Sequence, residues 1–271
     1  MTPESIPEPA SGSTFLTVSW DAQDALRSEP VLEGARSALS SWSAVEELPC
    51  APSSLQLLSI PAGAEDQPLL AEAARSALAG RADLDETRVT LLGLQGAHLV
   101  AAPGFLAVLA APERLAVAER AAVEACITEA ELRRVEAGIA GAWAPLRAVA
   151  PAAFEVTPET LAQREELKER YGELLDLRRT WSELGPRVMV PHVYPPTLAS
   201  QIGERLRERL RLYERYELLD PALVAQEQVH ALVAERVGES LNARKGHALE
   251  WAIILLLGAE VLLLLLEVLA G

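Results

Sequence analysis

The chain has 271 residues, a formal net charge of −15, and 50% hydrophobic but only 4% aromatic residues. This hydrophobic content excludes an intrinsically disordered protein. The acidic charge argues against direct nucleic-acid binding, because phosphate contacts require a basic surface. The two isolated cysteines, Cys50 and Cys126, exclude a disulfide framework and a cysteine-rich metal cluster.

The N-terminal half alternates between β-rich runs and helical patterns. Residues 1–13 are acidic and proline-rich, which predicts a disordered lead and fits neither a secretory signal nor a mitochondrial presequence. Strands are predicted at 14–20, 55–60, 87–94, 98–102 and 105–109, and helices at 31–42, 66–80 and 112–143. This mixture predicts the α+β class, with a mixed strand and helix domain over residues 14–150.

The second half of the chain is predicted to be helical. Thr157 precedes Pro158 as a helix cap, and that helix is expected to end at Leu184, before Gly185 and Pro186. Thr197 caps the next predicted helix, and a turn at 220–221 starts another. Facing apolar stripes on these two helices predict a helical hairpin or coiled coil within residues 157–246.

The C-terminal residues 248–269 form the longest apolar run of the sequence. As a helix they would extend about 33 Å, which predicts a transmembrane tail anchor. Arg244 and Lys245 precede the run and no basic residue follows it, which predicts a single-pass membrane protein with a cytoplasmic N-terminal domain. Four residues are expected at the membrane interface: Arg244, Lys245, Glu250 and Trp251. The alternative is a helix buried in a soluble bundle.

One stripe of this tail carries small and acidic residues. Glu260 and Glu267 are seven residues apart and therefore share a helix face. Small residues beside a polar group favour helix–helix contact in a membrane, which predicts a homo-oligomer. The alternative is that Glu260 is a tolerated charge. The predicted contact residues are Ala252, Gly258, Ala259, Glu260 and Glu267.

The sequence contains one basic series, within residues 205–215, in which arginine alternates with glutamate. This pattern is typical of a solvated, salt-bridged helix face. The alternative is a docking stripe for an acidic partner or RNA, formed by Arg207, Arg211 and Arg215. We find no catalytic motif and predict no cofactor and no metal site. The histidines are scattered along the chain at His98, His192, His230 and His247.

The C-terminal signature resembles that of a known family. Leu249-Glu250-Trp251, the apolar run that follows and Glu260 are similar to the ending of the "required for meiotic nuclear division" family of membrane-tethered proteins. Residues 215–220 resemble the family's hairpin turn, and Tyr194 lies where the family has an aromatic residue. The resemblance covers residues 187–265. It implies a bacterial member that acts as an anchored scaffold, whereas the mitochondrial branch implies a membrane tether that supports translation.

These observations lead to a functional hypothesis. We expect a non-enzymatic, tail-anchored scaffold that self-associates through its helices and presents an acidic cytoplasmic domain to an unknown protein partner. An alternative is an accessory subunit of a transport or ion-conducting membrane assembly, with Glu260 at the subunit interface. A hydrolase or transferase whose site has no recognisable motif is a third hypothesis.

Overall fold

The computed structural model describes residues 9, 12–20, 32, 36–39, 41–42, 53–81, 89–189 and 197–270, with side chains as far as Leu262. The chain divides into two compact units. The first comprises Met1–Ala137 and Arg179–Leu219, and the second comprises Gly138–Arg178 and Asp220–Gly271. The predicted domain limits of 14–150 and 157–246 stay predictions.

A six-stranded mixed sheet lies in the first unit, in the order β2-β1-β3-β6-β5-β4. β3 and β6 pair in parallel, and every other neighbouring pair is antiparallel. The predicted α+β class is therefore confirmed. The strands are β1 (Thr14–Ser19), β2 (Ser37–Ala38), β3 (Ser54–Pro61), β4 (Thr90–Leu94), β5 (Ala97–Ala102) and β6 (Phe105–Ala110).

Helices account for most of the remaining described residues. They are α1 (Gln67–Ala79), α2 (Pro112–Val149), α3 (Pro158–Ala162), α4 (Arg164–Met189), α5 (Leu198–Arg209) and α6 (Leu212–Ala270), with a 3₁₀ turn at Ala150–Ala153. Two predicted helix starts are confirmed. The Thr157 side chain accepts a hydrogen bond from the Thr160 amide, and Thr197 forms a reciprocal capping box with Ser200.

The core of the first unit covers both faces of the sheet. Alternate residues of β6 point to opposite sides, so Phe105 and Leu109 pack with α1 while Leu106 and Val108 pack with α2 and α5. All residues of β6 are buried. A strand that is buried on both faces must be apolar throughout, which explains the unbroken run Phe-Leu-Ala-Val-Leu-Ala.

The second unit has a smaller apolar cluster and specific polar contacts. Val233 and Val237 of α6 pack with Ala152. The Gln226 side-chain amide donates a buried hydrogen bond of 2.8 Å to the Ile139 carbonyl oxygen. These contacts fasten α6 to the end of α2 within this unit.

Gly138 permits a close approach between α2 and α4. A Cβ atom added at this glycine would lie 2.6 Å from a terminal carbon of Leu177. A side chain at this position would therefore push the leucine away. The glycine therefore leaves room for the end of the Leu177 side chain, and its backbone angles are not unusual.

Several helix boundaries differ from the predictions. The helix predicted over 31–42 is wrong at Ser37–Ala38, which forms strand β2, and most of its other residues lie outside the described part of the chain. α4 continues through Gly185 and Pro186 to Met189. The predicted hairpin turn at 220–221 is also wrong, because Pro221 lies inside α6.

The break between α5 and α6 instead falls at Arg211, which has a left-handed φ of 52°. The Leu210 and Arg211 amides bond to the Leu206 and Glu208 carbonyl oxygens, which closes α5. Pro221 removes only one backbone hydrogen bond from α6. The buried side chains of Tyr216 and Leu223 lie on either side of it, which favours a continuous helix.

The predicted transmembrane tail anchor over 248–269 is wrong, and so is the single-pass membrane localisation derived from it. In the part of the chain that the structure describes, no helix has a stretch long and apolar enough to cross a membrane. Glu250 and Glu260 interrupt the apolar run of α6. The uncharged stretch between them, 251–259, covers only about 13 Å of helix, well short of a ~30 Å hydrocarbon layer.

We predict that Leu57→Ala lowers the free energy of unfolding by about 2–5 kcal/mol. The Leu57 side chain is fully buried in β3, so its truncation leaves a cavity in the core. Leu69→Ala is the matched control, because Leu69 lies on α1 with 64% of its surface exposed. We expect it to change stability by less than about 0.5 kcal/mol. Urea denaturation of both variants measures the difference, and equal losses would contradict the assigned core.

We also predict that stability decreases below about pH 6.5 because of two histidines. Burial lowers the pKa of His98, and burial and then the charge of Arg170 lower the pKa of His230. Both imidazoles bind protons more weakly in the folded protein than in the unfolded chain. Their contribution to the free energy of unfolding is therefore complete above the unfolded pKa and is lost as the pH falls from there through the lowered pKa values of the folded protein.

Urea midpoints at about pH 7.5 and pH 5.5 test this prediction. A variant in which glutamine replaces both His98 and His230 serves as the control and should show a smaller difference between the two midpoints. A wild-type midpoint that is constant across this range would refute the assignment.

Candidate interaction surface

The C-terminal part of α6 is an apolar helix whose described side chains are open to solvent. Every described residue from His247 to Leu262 is exposed. Nine large apolar side chains in this stretch have between 56% and 71% of their surface accessible. We call this stretch the apolar segment, and the nine side chains are Leu249, Trp251, Ile253, Ile254, Leu255, Leu256, Leu257, Val261 and Leu262.

These side chains surround the helix. At 100° per residue, Leu249 and Leu256 lie on one side, Ile254 and Val261 on another, and 255 and 262 on a third. The exposed apolar surface is on the order of 1,000 Å², more than the largest apolar patch of a typical monomer. A helix that is hydrophobic on all sides requires partners on all sides.

The polar residues predicted at the start of this segment are all exposed. Arg244 and Lys245 lie on α6 with their side chains open to solvent. Nδ1 of His247 lies 3.2 Å from Oε2 of Glu250, one turn along the helix. Trp251 is 65% exposed. The structure therefore places these residues on one exposed helix, at the boundary between a polar and an apolar region.

The predicted helix–helix contact residues are equally accessible. Ala252, Gly258, Ala259 and Glu260 are exposed. A Cβ atom added at Gly258 would meet no atom within 4 Å. Glu267 belongs to α6, but its side chain lies outside the described part. The four described residues are free to contact another helix.

The three arginines of the predicted docking stripe have different environments. Arg207 is half-buried, its Nη1 donates to the Arg187 carbonyl oxygen at 3.1 Å, and burial lowers its pKa. Arg211 is exposed and occupies the left-handed position between α5 and α6. Arg215 is half-buried in contacts with α2. The structure does not bring the three together as one exposed stripe.

Arg215 makes four hydrogen bonds to other residues of the first unit. Its Nε and Nη2 donate to the two carboxylate oxygens of Glu136 at 2.8 and 2.7 Å. Its Nη1 donates to Oε1 of Glu129 at 3.2 Å and to the Leu210 carbonyl oxygen at 3.3 Å. The hydrogen bond with Glu136 is the main reason that the pKa of Arg215 is raised. This two-pronged contact fixes the start of α6 against α2.

Sequence reasoning missed the acidic partners of this arginine. Glu129 and Glu136 are seven residues apart on α2 and therefore share a helix face, a spacing that could have suggested a common partner. The ion pair between Arg36 and Glu119 has no local sequence signal, because the two residues are far apart in the chain. Arg36 contacts both carboxylate oxygens of Glu119 at 3.1 and 2.7 Å and donates to the Ser59 hydroxyl at 2.6 Å.

Among the described residues we looked for metal-binding groups and for a reactive cysteine. No group of three or more histidine, cysteine or acidic side chains among them could hold a metal ion. Cys126 is buried, and burial raises the pKa of its thiol to about 12. A thiol with this pKa is a poor nucleophile at neutral pH.

No protein-family model matches the chain, and a comparison with curated proteins also finds no match. Among solved structures, the structure of the full-length CmaX protein aligns over 86% of this chain and 79% of that chain. The sequence identity is 15% and the TM-score is 0.31. A likeness this weak carries no functional argument. The resemblance to the "required for meiotic nuclear division" family stays a prediction.

We predict that Arg215→Met lowers the free energy of unfolding by about 1–3 kcal/mol, because it leaves Glu136 half-buried without its cation. Arg236→Met is the control, since Arg236 lies on the same helix and pairs with Glu239 at an exposed site. We expect the control to cost less than about 1 kcal/mol. Chemical denaturation compares the two, and equal effects would contradict a structural role for Arg215.

Proposed function

We propose that this protein is a non-enzymatic scaffold that self-associates through the apolar segment of α6 and presents its acidic first unit to a protein partner. The observation that carries the proposal is the exposure of nine large apolar side chains around one helix. Exposed apolar surface of this size is typical of an interaction site.

A second copy of the chain is the occupant that fits this segment best. It supplies a helix of the same length and composition, so its apolar stretch ends where that of the first copy ends. A flat surface on a globular partner would cover one side of the helix and leave the others in water. Because apolar side chains surround the helix, the proposal favours a bundle of three or more copies over a dimer.

Glu260 gives this association a register. In a parallel symmetric bundle, the Glu260 side chains of all copies lie at the same level. A polar residue among apolar contact positions specifies register and oligomeric state at a cost in stability. Ala252 and Ala259 add a stripe of small side chains along which two helices could approach closely.

The charge distribution supports the proposal that the first unit binds a protein partner. The two segments of the first unit, 1–137 and 179–219, contain 16 basic and 25 acidic side chains, a net charge of −9. Several copies held together by α6 would multiply this negative charge. Such an array favours a basic protein surface as the partner, through electrostatic attraction and multivalent contact.

The test is sedimentation of the full chain and of a variant that carries Ile253→Lys and Leu257→Lys. These two side chains are each 57% exposed and lie one turn apart. We expect the wild type to form a defined oligomer and the variant to associate at least about 100-fold more weakly, because charge replaces buried apolar surface.

Leu232→Lys is the matched control, since Leu232 is a 51% exposed leucine on the same helix, upstream of the apolar segment. The control should assemble like the wild type. A wild type that stays monomeric at about 100 μM, or a variant that assembles normally, would overturn the proposal. So would a monomer that binds lipid vesicles through the apolar segment, because the segment would then contact lipid.

A further inference from the structure

A cavity of about 380 Å³ lies inside the first unit, beside the Arg215 contacts. It is bounded by the β5–β6 turn, the start of β3, α2 and the junction of α5 and α6. Its apolar wall includes Leu55, Ala101, Cys126 and Ala130, and Trp20 borders it as well. The volume is within the range of small-molecule sites.

The tryptophan that borders the cavity is held in place. Its indole Nε1 donates to Oε1 of Glu131 at 2.9 Å. A hydrogen bond at the nitrogen fixes the ring orientation and leaves the ring available for apolar contact. The cavity therefore combines a fixed aromatic ring with aliphatic side chains.

The positive and negative charges of the residues that line the cavity do not cancel. Three arginines, Arg133, Arg209 and Arg215, lie with two glutamates, Glu129 and Glu136. Glu129 is shared, because its carboxylate accepts hydrogen bonds from both Arg133 and Arg215. Glu136 receives the other two donors of Arg215. The lining thus carries one excess positive charge in a protein with a net charge of −15.

Arg209 supplies this excess charge. It ends α5 and is exposed at the edge of the cavity. Among the residues that the structure describes, no carboxylate lies within ion-pair distance of Arg209. Its neighbour Glu208 pairs with Arg205 at 2.8 Å. The guanidinium of Arg209 can therefore bind an anion without giving up a contact that the fold requires.

We propose that this cavity binds a small monocarboxylate with a compact apolar or aromatic body. The carboxylate pairs with Arg209, and the body packs against Trp20 and the aliphatic wall. A monoanion neutralises the single excess charge. A phosphate ester carries close to two negative charges at neutral pH and would face Glu129 and Glu136 with one charge unbalanced. The planar guanidinium matches the geometry of a carboxylate.

Isothermal titration of the full chain with benzoate tests the proposal, with inorganic phosphate compared at constant ionic strength. We expect saturable binding of one benzoate per chain and at least about tenfold weaker binding of phosphate. Arg209→Gln should weaken benzoate binding at least about tenfold, since it removes a charge-assisted pair. Ala130→Met should abolish binding because the longer side chain fills the cavity.

Arg205→Gln is the matched control, as Arg205 lies on the same helix, is exposed and does not line the cavity. It should bind benzoate as the wild type does. The proposal is overturned if benzoate shows no saturable binding, if phosphate binds as tightly, or if Arg209→Gln binds like the wild type. Thermal unfolding of each variant separates lost binding from lost folding.

Discussion

The burial of β6 on both faces is the constraint on which the first unit depends. A strand with no solvated face admits no polar side chain, and both of its neighbours must satisfy its backbone groups. α1 must then cover one face of the sheet, and α2 with α5 the other. The turn before β6 is equally constrained, because Gly104 has a φ of 77°. That turn also borders the cavity, so the position of the proposed ligand site follows from the central strand.

The sequence predicts this part of the fold well because the signals are local. Short apolar runs bounded by glycine and proline match β3, β5 and β6 to within about two residues, and Thr157 and Thr197 cap helices by contacts within one turn. The α5–α6 break was missed because Arg211 has no conventional turn residue beside it. Pro221 indicates a helix break from the sequence, but the penalty of about 3 kcal/mol for a proline inside a helix is offset by the packing of the long helix around it.

The candidate sites follow the same rule: features encoded by neighbouring residues can be predicted from the sequence, and contacts between distant residues cannot. The apolar run that contains Trp251 and Leu256 can be recognised from the sequence. Its composition also indicates that these side chains must be buried against lipid or protein. Composition does not indicate whether lipid or protein covers these side chains, and Glu250 and Glu260 divide the apolar run. The contacts of Arg215 with Glu129 and Glu136 join residues 79 and 86 positions apart. No local pattern encodes such pairs, and a cavity formed by several elements is beyond sequence reasoning for the same reason.

The parallel pairing of β3 with β6 has a consequence for the order of folding. β4, β5 and β6 follow one another through short turns, so this three-stranded meander can form early from local contacts. β3 can join only after the chain has closed a loop containing α1 and two strands, and β1 pairs with β3. Until β3 joins, one edge of β6 is open. During that interval the most apolar of the described strands can pair along this open edge with another chain.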